Sequence, residues 1–225
     1  MLAPRAIEAP RGIAQTYSTK CAWNEITDQL GERFEIAFNT YKPFACGIVI
    51  HPSIDGSVQL RNAHGLRAAD IARIDLRVHS LVLELTGKRT PRSGLESKFS
   101  VFHACAAGVV FGRAGEREFS DATVARADVV ALRDRVQAHV DDRIDEASAD
   151  VTVTMNDGST HHVFVEHAIG SLERPMSDGD LAAKFHDLVD PELGEARAKE
   201  LFTRAMRIAS APDLRGLVAL ARPEA

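Results

Sequence analysis

Cysteine is scarce in this sequence, and its spacing limits the kinds of scaffold that the chain can build. The 225 residues include three cysteines, Cys21, Cys46 and Cys105, and no two of them form a Cys-x-x-Cys pair. An odd number without that spacing argues against a disulfide framework and against a structural zinc site. Such cysteine usage is typical of proteins in a reducing compartment, so we expect a cytoplasmic location.

Long apolar runs and basic clusters are also lacking. The longest apolar run, residues 104–111, is far shorter than the roughly 20 residues that span a bilayer. The N-terminus has no basic region followed by an apolar stretch, so we expect no secretory signal. The formal net charge is −5, and lysine and arginine are scattered rather than gathered into a stripe. We therefore expect neither a nucleic-acid partner nor a membrane partner.

The patterns that are present predict an α+β fold. Alternating apolar residues predict strands at residues 34–38 and 71–85, and the Asp-Gly turn at 157–158 between alternating runs predicts a β-hairpin. Helical spacing predicts helices at 23–30, 51–62, 97–111, 121–136, 191–209 and 213–221, and one after Ser177 with Asp180 as capping partner. This order predicts a small mixed or antiparallel sheet with helices packed on it, flanked by N- and C-terminal helical segments.

The segment from Tyr41 to Asp55 carries the first candidate site. Lys42 follows a predicted strand and His51 begins a predicted helix, and a lysine beside free helix amides favours an anionic ligand such as a carboxylate or phosphate. The alternative is a solvated lysine and a histidine that caps the helix. Cys46 lies between them and is a nucleophile only if its thiolate is stabilised, whereas an inert, half-buried thiol is the commoner case.

Ser100 and His103 form a second candidate pair. They lie three residues apart on one face of the predicted helix at 97–111 and could face a shared pocket. The alternatives are a serine that caps the helix and a structural histidine. A serine-hydrolase triad is not expected because the Gly-x-Ser-x-Gly turn is absent. No glycine cluster follows a strand and opens a helix, so neither a dinucleotide-binding fingerprint nor a phosphate-binding loop is expected.

The densest group of histidines lies just after the predicted hairpin turn. His162 and Glu166 would share one face of a strand, with His161 and His167 beside them. This group lacks a third convergent ligand in the sequence, so we expect a solvated strand rather than a metal site.

Several stretches, in their order along the chain, resemble the MmgE/PrpD family. They are residues 8–14, 30–32, 41–55, 97–103, 156–158, 174–178 and 183–185. In this family a large all-helical domain is joined to a smaller α+β lid domain, after which the chain returns to the helical domain. The resemblance therefore implies that residues 1–32 are the tail of the helical domain, 33–170 the lid domain and 171–225 the returning helices.

The resemblance also implies a lyase or isomerase that acts without a cofactor on a di- or tricarboxylic acid. Proton abstraction beside a carboxylate leads to dehydration, decarboxylation or epimerisation, as in the family's 2-methylcitrate dehydratases, cis-aconitate decarboxylases and iminodisuccinate epimerases. By position in the motifs, Lys42, His51 and His103 are the expected catalytic residues, and Lys42, Cys46 and Ser100 are expected to contact the substrate. His103 stands where many relatives have tyrosine, and an imidazole titrates near neutrality whereas a phenol mostly donates.

The resemblance covers the C-terminal half of the family, so the source of the remaining active-site residues is a separate question. The catalytic groups of the family's helical domain have no counterparts in this sequence. We expect a homodimer or a complementing helical subunit. The alternatives are a truncated or split-gene lid fragment that is catalytically silent alone, and a small-acid-binding module without turnover.

Overall fold

The computed structural model describes residues 5–223, which belong to two compact units that meet in sequence between Asn39 and Thr40. In the first unit, α1 (Ile13–Tyr17) is followed by 3₁₀ turns at Trp23–Ile26 and Glu35–Phe38. The strand predicted at 34–38 is therefore wrong, and the helix predicted at 23–30 forms only its first turn. Alternation alone does not make a strand, because residues 5–39 contain no second strand to pair with it.

The second unit is built on a four-stranded mixed sheet. Its strands are β1 (Ile71–Val78), β2 (Val136–Val140), β3 (Ala149–Met155) and β4 (Thr160–Val165). The spatial order is β2-β1-β3-β4, with β1 parallel to β2 and antiparallel to β3. β3 and β4 form the predicted hairpin, and Gly158 in its turn has a φ of 86° that favours glycine. The α+β prediction is confirmed.

Helices surround the sheet and follow it towards the C-terminus. They are α2 (His51–His64), α3 (Ser80–Thr86), α4 (Gly94–Ser97), α5 (Val101–Phe111), α6 (Asp121–Val124), α7 (Ala127–Arg133), α8 (Asp178–Leu193), α9 (Glu195–Ala205) and α10 (Arg215–Leu220). Short 3₁₀ turns occur at Ile48–Ile50, Ala68–Asp70, Glu116–Phe119 and Ile208–Ser210. No helix within residues 5–223 is long and apolar enough to cross a membrane.

The core lies between the sheet and α2 with α5. Ile54 of α2, Val109 of α5 and Leu76 of β1 are almost fully buried there. Gly56 allows α2 to approach β3, since a Cβ at this position would lie 2.7 Å from Cγ2 of Val151. This close contact packs α2, whose first residue is His51, against an interior strand of the sheet.

Several predicted boundaries differ from the structure, and the helix predicted at 97–111 begins as α5 only at Val101. The strand predicted at 71–85 ends at Val78, because the His79 ring accepts a hydrogen bond from the Leu81 amide at 3.2 Å and begins α3. The helix predicted at 121–136 is two short helices, α6 and α7, followed by β2. α8 continues through Pro191 and ends at Gly194, whose φ is 76°, so the predicted start of a helix at 191 is also wrong.

Candidate functional site

The segment before α2 folds back on itself and is held by three neighbouring loops. Backbone hydrogen bonds join Tyr41 to Gly170 at 3.3 Å, Ala45 to Ala114 at 3.0 Å, and Gly47 to Lys98 at 3.1 Å. Within the segment, Nζ of Lys42 donates to the carbonyl oxygen of Cys46 at 3.3 Å. The chain then enters α2 at His51, with Pro52 in the first turn, where its missing N–H leaves no donor unsatisfied. Lys42 and His51 are thus held on one short, anchored stretch.

His51 is buried with an unused ring nitrogen. Its side chain is 2% exposed, and Nε2 has no hydrogen-bond partner among the described residues. Burial, and after it the ammonium of Lys42, lowers the pKa of His51 to about 4; a hydrogen bond with the Cys46 backbone opposes this, and Lys184 adds a smaller lowering. The imidazole is therefore neutral near pH 7 and keeps the capacity to accept a proton.

Two cavities flank this segment. His51 lines a cavity of about 380 Å³, here called the histidine cavity, together with Tyr41 and residues 167–173. Lys42 lines a larger cavity of about 730 Å³, here called the lysine cavity, at the N-terminal half of α8. The two linings share Ile169 alone. Phe44 lines the lysine cavity, and its ring centroid lies 5.3 Å from that of His51.

The lysine cavity has four carboxylates in its lining, and each one is already engaged. The pairs are Asp55 with Arg174, Asp187 with Arg113, Glu116 with Lys98, and Asp180 with the N-cap Ser177. The cavity's two arginines are therefore also paired. By contrast, Lys42 and Lys184 have no carboxylate partner within residues 5–223. Lys42 and Lys184 are therefore the two cations of this lining that make no carboxylate contact within the described residues, and an ammonium group without such a contact favours an anionic ligand.

Lys184 is a residue of this site that the sequence reasoning did not assign. It lies on the face of α8 that also presents Asp180 and Asp187 to the cavity, at the i, i+4, i+7 spacing of one helix face. Its Nζ donates to the carbonyl oxygen of Lys42 at 2.7 Å. The signal in the sequence was the stretch at 183–185, which belongs to the family resemblance but carries no role there. The two lysines are separated by 142 positions in the sequence, so their contact could not be predicted from it.

His103 and Ser100 lie in the core, outside both cavities. Ser100 is the N-cap of α5, and its Oγ accepts the His103 amide at 3.1 Å. The His103 ring is fully buried, with Nε2 at 2.9 Å from the carbonyl oxygen of Glu118 and Nδ1 without a partner among the described residues. Burial lowers the pKa of His103, against the Glu118 hydrogen bond. The structure thus places this pair together, with no cavity between them.

Cys46 contributes its backbone rather than its thiol. The side chain is 7% exposed and lines neither cavity. Burial raises the pKa of the Cys46 thiol to about 12, and the nearby Lys42 only partly offsets this. The thiol stays protonated at neutral pH and is a poor nucleophile.

The histidines near the hairpin make separate pairwise contacts. His161 stacks on His64 with ring centroids 4.0 Å apart, and Nε2 of His162 lies 3.0 Å from a carboxylate oxygen of Asp150. No group of three metal-ligating side chains is found in the part of the chain that the structure describes.

The fold and the site together define an α+β domain with helices on a mixed sheet and a cavity whose two lysines lack carboxylate partners. The chain belongs to the MmgE/PrpD family: the family model described as MmgE/PrpD C-terminal domain matches residues 44–207. This match confirms the resemblance seen in the sequence, including its restriction to the family's C-terminal half. A comparison with curated proteins found no match.

Proposed function

We propose that this domain binds a di- or tricarboxylic acid and takes part in a lyase or isomerase reaction that begins with proton abstraction beside a carboxylate. The observation that supports this proposal most directly is the Lys42 ammonium, which lines the lysine cavity without a carboxylate partner in residues 5–223. A charge-assisted contact with a carboxylate would satisfy it. Family membership supports the same class of reaction.

The proposed chemistry uses the two ends of one anchored segment. Lys42 would bind the carboxylate and stabilise the negative charge that develops when the neighbouring carbon loses its proton. His51, neutral because it is buried, would accept that proton at Nε2, and the carbon's electron pair would move into the carboxylate as an enediolate. Loss of water, loss of carbon dioxide or reprotonation on the other face would then give the family's three outcomes. No cofactor is needed for this step.

The other expected residues have different roles in this proposal. His103 would act after the helices near it move, because it lines no cavity, and Ser100 would support it as the cap of α5. The remaining catalytic groups would come from a helical domain in a complementing subunit, because a second copy of the same sequence would not add them.

A second candidate function is binding of a small acid without turnover. The observation that favours it is the separation of Lys42 and His51 into two cavities whose linings share only Ile169. On this alternative, the acid would occupy the lysine cavity and His51 would have no proton to accept.

Titration calorimetry of the purified chain with citrate and succinate tests the carboxylate role. Lys42→Gln should weaken binding about tenfold or more, because a hydrogen bond to a charged group contributes about 1.5–3 kcal/mol. Lys199→Gln, an exposed lysine on α9 outside both cavities, is the matched control. Equal affinity of Lys42→Gln and the wild-type chain would contradict the proposal.

Proton abstraction is tested separately by exchange of the acid's carbon-bound hydrogens in D₂O, followed by ¹H NMR. Exchange that His51→Gln abolishes, with binding retained, supports the lyase or isomerase proposal. Binding without exchange, measured also with any co-purifying subunit present, supports the binding module instead.

A further inference from the structure

Lys184 and Lys42 are two separate cationic positions in one cavity. The ammonium of Lys184 donates a hydrogen bond to the carbonyl oxygen of Lys42 at 2.7 Å, and the ammonium of Lys42 donates one to the carbonyl oxygen of Cys46 at 3.3 Å. Each ammonium has three N–H donors and uses one of them in these contacts. The two groups donate to different carbonyls, four residues apart, and both line the lysine cavity, so each keeps donors for an acceptor of its own.

The carboxylates that line the lysine cavity leave the charges of Lys42 and Lys184 available to a ligand. The cavity's four carboxylates are engaged by arginines, by Lys98 or by the cap of α8, as described above. Both lysine charges also act on the same neighbour, because Lys42 and Lys184 each lower the pKa of His51. The common position of the two ammonium groups rests on the lining of the lysine cavity, to which both lysines belong.

We propose that Lys42 and Lys184 bind the two carboxylates of a single dicarboxylic acid, and that Lys184 is the residue that selects dianions over monoanions. This inference rests on the proposed function, in which Lys42 binds the carboxylate beside the reacting carbon. The second carboxylate, bound by Lys184, fixes the orientation of the acid in the cavity and restricts which carbon faces the proton acceptor. Tricarboxylic acids satisfy the same pair of contacts.

A comparison of succinate with butyrate, two acids of equal chain length, distinguishes the roles of the two lysines. The wild-type chain should bind succinate about tenfold or more tightly than butyrate at pH 7.5 and low ionic strength, measured by calorimetry. Lys184→Gln should weaken succinate binding by about that factor and leave butyrate binding unchanged. Lys42→Gln should weaken both acids. Lys184→Arg, which keeps the charge, should retain part of the preference, and Lys199→Gln should change nothing.

The NMR titration of the His51 ring tests whether the charge of Lys184 acts on that ring in the unliganded chain. Removing the Lys184 charge should raise the pKa of His51 in Lys184→Gln, while Lys184→Arg should leave it close to that of the wild-type chain. Unaltered amide chemical shifts away from the cavity show that each variant is folded.

Three results would overturn the inference. If the wild-type chain binds succinate and butyrate equally, no second carboxylate subsite exists. If Lys184→Gln weakens both acids equally, Lys184 acts only by positioning Lys42. If the wild-type chain binds neither acid, both this inference and the proposed function fail, whereas the first two results leave the role of Lys42 intact.

Discussion

Acidification should destabilise this protein through His51, in a pH range that the burial of its ring determines. In the unfolded chain the imidazole has an ordinary pKa of about 6.5, whereas in the folded state its pKa is about 4. Above pH 6.5 both states are neutral, and His51 adds no pH dependence. Between pH 6.5 and pH 4 the unfolded state binds a proton at His51 and the folded state does not, so the free energy of unfolding falls with decreasing pH. The full loss is about 3 kcal/mol and is complete below pH 4.

The comparison of the wild-type chain with His51→Gln isolates this effect. The free energy of unfolding is measured in urea at pH values from 7.5 to 4.5, and the difference between the two proteins is followed. Between pH 7.5 and pH 4.5 the wild-type chain should lose about 2–3 kcal/mol of unfolding free energy relative to His51→Gln, since glutamine does not titrate. Buried His103 is present in both proteins and cancels, and His139→Gln, at an exposed position, is the matched control. A difference that does not change with pH would refute the account of a buried, neutral His51.

Three further predictions concern the segments around the site. Gly170→Ala should destabilise the protein by about 1–3 kcal/mol in urea, because φ is 92° and a Cβ would lie 2.3 Å from the Tyr41 carbonyl oxygen; an unchanged midpoint would contradict this contact. Ser177→Ala should cost about 1 kcal/mol by removing the cap of α8, and a loss below the error of the urea measurement would show that the cap contributes nothing. Iodoacetamide at pH 8 should label exposed Cys21 and spare Cys46 in the native protein, as read by mass spectrometry, and equal labelling would refute the burial of that thiol.

The elements that the sequence predicts well have local causes. Asp157 and Gly158 specify the hairpin turn, Pro52 is tolerated only in the first turn of α2, and Ser177 with Asp180 caps α8 through reciprocal hydrogen bonds. Each of these signals lies within a few residues and depends on backbone geometry. Their correct interpretation was enough to define an α+β fold.

The elements that the sequence does not predict depend on distant partners. Strand β2 forms because Val136 pairs with Ile74 of β1, which lies far away in sequence; from the sequence alone, Val136 is the last residue of a predicted helix and the rest of β2 is not predicted. The apolar run after Val78 follows the alternating pattern of β1 directly and is therefore predicted to extend the strand, yet it becomes α3 once His79 caps it. Period-two patterns are ambiguous wherever tertiary pairing decides the outcome.

The candidate site likewise contains residues that the sequence identifies and residues that it does not. Lys42 and His51 could be identified because they lie on one short motif, and the structure holds them on one anchored segment. Lys184 could not be assigned, because its contact with Lys42 requires α8 to return to the start of the unit. The sequence also did not predict that His103 is enclosed in the core, since a helix that is apolar on every side does not show which face meets a cavity.

Binding of an acid would reverse the electrostatic effect that the two lysines have on the buried histidine. Without a ligand, the charges of Lys42 and Lys184 add to burial in keeping His51 free of a proton, which a proton acceptor requires. A bound dicarboxylate would compensate both charges and bring negative charge near the ring, so the affinity of His51 for a proton would rise when the substrate arrives. On the proposed function, the bound dianion rather than Lys184 itself therefore strengthens the base, and the loss of Lys184 would weaken substrate selection while raising the pKa of His51 in the unliganded chain.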